Sequence, residues 1–141
     1  MKRDIPFEEL KRLVFEDFTK QGVMQAMQAR ITKFELGEAH IEFPLLDTFK
    51  QQHGALNAGI VTTAIDTACG LAAGTYGYVD VVTVEFKTNF VASARAENFK
   101  AIGKVIKSGK TLSICTGSLT GIVDGKEKTF AIMQATMMGL G

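Results

Sequence analysis

The sequence is short of the residues from which many enzyme centres are built. Two histidines, His40 and His53, occur in 141 residues, and neither stands in a metal-ligating spacing such as HExxH. His40 reads as a solvated strand residue, and His53 as a loop residue, with orienting a site as its functional alternative. The two cysteines, Cys69 and Cys115, lie in apolar contexts without ligand spacing. They read as reduced core residues, not as a disulfide or a metal pair. No GxGxxG follows a strand, no P-loop is present, and no GxSxG elbow supplies a hydrolytic serine. Charge of one sign is lacking too: 16 basic and 15 acidic groups leave a net charge of +1. Without a basic stripe, nucleic-acid binding has no electrostatic support. The opening MKRDIPFEEL turns acidic early and lacks an apolar signal core. No run approaches the roughly 18 apolar residues of a membrane span. The expectation is a cytoplasmic chain with no nucleic-acid or membrane partner, folded as one domain over residues 1–141 with a real core.

What is present is organised around QQHGALNAGIVTTAIDTACGLAAGTY, residues 51–76. The spacing predicts a central helix over about 55–75, small and apolar on every side from Asn57 to Ala73. A helix of that kind has no solvent face and must be wrapped by the rest of the fold. Before it, residues 1–22 predict an amphipathic helix started at Asp4 and Pro6, with Phe7, Leu10, Val14 and Phe18 on one face. Residues 23–34 and 38–44 predict two strands turning at Gly37, the second with Ala39, Ile41 and Phe43 inward. After the central helix, VTVEFKTNF alternates, with Val82, Val84, Phe86 and Phe90 facing one way and Thr83, Glu85, Lys87 and Asn89 the other. Strands over 98–107, 111–123 and 127–138 follow, the last two joined by a hairpin at Asp124-Gly125. The sum is an α+β fold, a curved antiparallel sheet of five to six strands wrapped around one long helix. Its outer face, with Thr116, Ser118 and Thr120, suits solvent or a second copy.

Two features carry chemistry. Asn57 suits a helix N-cap, and the amides of Ala58, Gly59 and Ile60 would then point outward, an arrangement that can receive an oxyanion. The plainer reading is that Asn57 only caps and Gly59 only lets a strand pass. Asp66 is the one full charge inside the apolar helix, and such carboxylates are rarely buried without a partner or a purpose. It is either a reactive acid or a structural one hydrogen-bonded to Thr62, Thr63 or a backbone amide. The nine residues from Asn57 to Asp66 span roughly 13 Å along the axis. One carbonyl cannot touch both ends of that span, so a site using both needs two chains. Lys107-Ser108-Gly109-Lys110 is a charged turn or a phosphate-binding edge.

The run QQHGALNAGIVTTAIDTACGLAA, then VTVEFKTNF and KSGKT, resembles the PaaI-like acyl-CoA thioesterases of the hotdog-fold superfamily over about residues 38–138. The resemblance implies hydrolysis of an acyl-CoA to free acid and coenzyme A, with no separate cofactor or metal, in a homodimer or a tetramer of paired dimers. The family's HGG-type signature falls on Asn57-Ala58-Gly59, and its catalytic acid falls on Asp66. Its water-orienting polar residue falls on Thr83, and the amide residue that contacts the thioester on Gln51. The Ala58 amide would polarise the thioester carbonyl, Gly59 and His53 would line the substrate, and Lys107 and Lys110 would hold the coenzyme A phosphates. Two departures stand out, Asn57 for the signature histidine and Ala58 for its first glycine. A backbone amide survives the second. The alternatives are a non-catalytic acyl-CoA binder, which the missing histidine favours, and a hotdog hydratase or dehydratase.

Overall fold

The computed structural model describes residues 4–140. Residues 1–3 and Gly141, included in the sequence expectation, lie outside that range. Helix α1 spans Phe7–Phe18 and buries Leu10, Val14 and Phe18 on one face. Pro6 is its N-cap residue and not part of the first turn, and no side chain caps it. The helix ends four residues before Gly22, which instead opens a second short helix, α2, Gly22–Ala26. A strand was expected from residue 23, but Met24 and Met27, three apart, both turn into the core. That spacing belongs to a helix.

Six strands follow: β1 Arg30–Glu35, β2 Glu38–Pro44, β3 Asp80–Phe90, β4 Asn98–Ser108, β5 Leu112–Val123 and β6 Lys126–Leu140. They form one antiparallel sheet in the order β1-β2-β4-β5-β6-β3. The long helix, α3, spans Ala58–Gly74 between β2 and β3. It crosses the concave face of the sheet and packs on all six strands. Two glycines let it lie so close. A Cβ at Gly103 of β4 would overlap the Ala68 carbonyl, and one at Gly117 of β5 would overlap Ile65. Phe43 and Phe99 pack as a tilted pair with centroids 5.4 Å apart, and Phe99 meets Phe130 edge to face at 5.7 Å. Cys69 and Cys115 are unbridged and fully covered where α3 meets β5, and burial pushes the Cys115 thiol up to about 11. The β5–β6 hairpin turns at Asp124 and Gly125, both with positive φ, as the dipeptide predicts.

Three expectations about sidedness change. In β3 the ladder slips between Thr83 and Glu85. A bulge of this kind reverses the alternation. Phe86 and Phe90 stand opposite Ala135 and Ala131, which face α3, whereas Thr83 stands opposite Met137 and also faces the helix. The four apolar residues therefore do not share one buried face; Val82, Val84, Phe86 and Phe90 are 39–53% exposed. A second slip, between Leu119 and Thr120, buries the Thr120 side chain. His40 is not a solvated strand residue either. Its ring is mostly covered 3.5 Å from Glu38, and burial holds its pKa below the ordinary value against the pull of that carboxylate.

Candidate active site

The approach to α3 is pinned by backbone bonds. Leu56 N–H donates to Ala94 O at 3.0 Å, Asn57 N–H to Phe49 O at 2.9 Å, and Gln51 N–H to Ala55 O at 2.8 Å. Asn57 then caps the helix, its Oδ1 accepting from Gly59 N–H at 2.8 Å. Its carbonyl accepts from Ile60 and Val61, both at 3.0 Å. The amides of Gly59 and Ile60 are thus consumed within the turn, against the expectation that three would be free. Among the described residues, only the Ala58 amide of those three is left without an acceptor. A cavity of about 130 Å³ opens at this point, lined by Ala58, Gln51, His53, Val61 and Phe90. His53 Nδ1 accepts from Arg95 Nη2 at 3.1 Å. Arg95, in the loop after β3, has no periodicity or motif to mark it in the sequence.

Asp66 lies two turns further on, in a second cavity of about 180 Å³. Thr83 Oγ1 donates to Asp66 Oδ1 at 2.7 Å across from β3. The structural alternative drew on Thr62 and Thr63, but both hydroxyls donate back to helix carbonyls, of Ala58 and Gly59, at 3.0 and 2.9 Å. Thr83 is the one side chain hydrogen-bonded to Asp66 among the described residues. Burial raises the Asp66 pKa above the ordinary carboxylate value, and the Thr83 hydrogen bond, which favours the charged form, opposes that rise. The helix is not wrapped on every side, as its composition suggested. Gly59, Thr62, Thr63, Asp66, Thr67 and Gly70 form a stripe that the chain leaves partly or fully open.

The predicted site residues therefore divide. Asp66 meets Thr83 in one cavity, and Ala58 meets Gln51 and His53 in the other, with no lining residue in common. Asn57 positions the helix start with its side chain spent on the cap. Lys110 lines a third cleft, of about 670 Å³, with Tyr76, Tyr78 and Ser108. Lys107 lines none of these three. Val14, which its spacing marked only as a core residue of the first helix, and Tyr78, which nothing in the sequence marked, also border the Asp66 cavity. Among the described residues no three His, Cys, Asp or Glu side chains converge as a metal site would need, and no helix is long and apolar enough to cross a membrane.

One antiparallel sheet curled around one long helix, with a lone carboxylate on the open side of that helix, defines a hotdog-fold protein. The sequence profile described as Thioesterase superfamily matches residues 53–120. A Silicibacter pomeroyi structure described as a thioesterase family protein is 39% identical, with 93% of this chain and 98% of that one covered and a TM-score of 0.89. A Saccharolobus solfataricus protein named "Putative esterase" is 33% identical over 109 residues, 76% of this chain and 78% of that one. The chain belongs to the thioesterase superfamily. Two more distant structures share the fold alone. They are the PaaI protein of the Escherichia coli phenylacetic acid degradation operon (17% identity, 95% of each chain, TM-score 0.84) and Streptococcus mutans smu.793 bound to acetyl-CoA (21% identity, 80% of this chain and 89% of that one, TM-score 0.72).

Proposed function

We propose that the protein hydrolyses an acyl-CoA thioester to a carboxylic acid and coenzyme A, at a site shared by two copies of the chain. The observation that carries this reading is the Asp66–Thr83 pair beside a cavity, in a chain of the thioesterase superfamily. The acetyl-CoA held by the smu.793 structure supports a coenzyme A thioester as the substrate class. The carboxylate of Asp66 takes a proton from water as its oxygen attacks the thioester carbon, with Thr83 fixing the carboxylate. The Ala58 amide of the other chain, at the start of its own helix, donates to the carbonyl oxygen as negative charge develops there. Collapse of the tetrahedral intermediate breaks the C–S bond, and the departing thiolate recovers the proton from Asp66. Direct attack by the Asp66 carboxylate uses the same geometry. Gln51, Gly59 and His53 line the acyl thioester at the helix start, and Lys110 in the turn, with Lys107 at the end of β4 before it, meets the phosphates of coenzyme A.

The test is steady release of free thiol from a panel of acyl-CoAs by wild type and Asp66→Asn. Removing the base while keeping its shape should lower kcat by about 10²-fold or more. Near-wild-type turnover in the variant would sink the assignment of Asp66. Binding without sustained turnover in the wild type would favour the non-catalytic binder, the reading to which Asn57 in place of the signature histidine lends weight.

A further inference from the structure

The cavity beside Asp66 contains a glycine that the fold itself does not require. Gly70 stands four residues after Asp66, one turn on along the same side of α3. It is not among the glycines with positive φ, and a Cβ built on it meets no atom within 4 Å. Gly103 and Gly117 differ, because α3 itself occupies the space their side chains would need. Glycine within a helix is less stable than alanine there, so an unforced one marks space kept for something outside the chain. At Gly70 that space belongs to the 180 Å³ cavity, whose polar side is Asp66, Thr67 and Thr83 and whose apolar walls are Val14, Leu71 and Val81. Val14 comes from α1, so the N-terminal helix contributes one wall of the cavity.

We propose that Gly70 is a specificity-determining residue, its missing side chain admitting the acyl group of the thioester while Val14 limits that group's size. The inference rests on the hydrolase reading above. Apolar cavities of about 150 Å³ take up a molecule the size of benzene. The recess beside Asp66 in one chain, about 180 Å³ and open on one side, has room of that order for the part of the acyl group next to the carboxylate.

The experiment measures kcat/KM for acetyl-, butanoyl-, hexanoyl- and octanoyl-CoA with wild type, Gly70→Ala and Val14→Ala, alongside melting temperature and mass in solution. In Gly70→Ala the hexanoyl-to-acetyl ratio should fall at least about tenfold, as one methylene's worth of lost space implies. Its Tm should rise by about 2–4 °C, since the helix gains a better former. Val14→Ala should move the ratio the other way, toward longer chains. An unmoved ratio in both variants overturns the inference and leaves the hydrolase reading standing. A Gly70→Ala shift that comes with altered mass also overturns it, because a second copy, not the acyl group, would then occupy that space. A wild type inert toward the whole panel overturns both readings at once.

Discussion

At the scale of single residues, the proton on Asp66 links chemistry to stability. Burial raises its pKa in the folded protein, so the native state holds the proton more tightly than the unfolded chain does. The stability this group contributes is fully present at acid pH. It is lost as pH rises through the ordinary aspartate value and on through the raised native one. Above both values the fold therefore carries a destabilising charge, as reactive sites often do. Asp66→Asn, neutral throughout, should melt higher than wild type at pH 7, and the gap should close as pH is lowered. A gap constant with pH would mean the charge is not its cause. Thr83→Val separates the two terms that set this pKa. It removes the hydrogen bond that favours the charged form, so the acid limb of the kcat profile should move to higher pH. Turnover should fall less than in Asp66→Asn. An acid limb that stays in place would show that Thr83 does not tune Asp66. Asp66 was legible because a charge stands out in an apolar helix. The facing of Thr83 was not, because the bulge beyond it has no sequence signature.

At the scale of elements, β3 decides how the site is completed. It ends the sheet, bonded to β6 on one side only, and offers unpaired backbone groups along 11 residues. Exposed edges of this length are usually blunted by charge or covered. This one instead shows Val84 at 51% and Phe90 at 53% exposure, next to the open stripe of α3. A second copy pairing along β3 would cover the edge and enclose the open stripe as a site between the two chains. Val84→Lys places a charge on that edge and should leave single chains in solution, with turnover lost by about 10²-fold or more because neither chain alone holds the whole site. Light scattering and thiol release on the same sample check it, and an active single chain would sink the shared site. The hairpins and α3 were legible because turn chemistry and periodicity are local. The exposure of the apolar residues of β3 was not, because alternation tells two faces apart without saying which one is covered.

At the scale of the whole molecule, the distance along α3 makes the strongest demand. Asp66 and the Ala58 amide open into separate cavities, roughly 12 Å apart along one helix at 1.5 Å per residue. This much could be computed from the sequence, since a helix fixes its own rise. A complementation test follows. Ala58 is the first residue of α3, the position where proline is best tolerated, and its amide has no acceptor to lose among the described residues. Asn57 already holds extended geometry, with φ −57° and ψ 134°, which a following proline favours. Ala58→Pro should therefore fold while deleting the proposed oxyanion donor. Alone, it and Asp66→Asn should each be nearly inactive. Mixed and allowed to exchange, each hybrid dimer would hold one site with an intact Asp66 from one chain and an intact amide from the other. Activity should return toward half of wild type per dimer. If mass spectrometry shows exchanged hybrids and no turnover returns, the amide and the carboxylate do not serve one carbonyl.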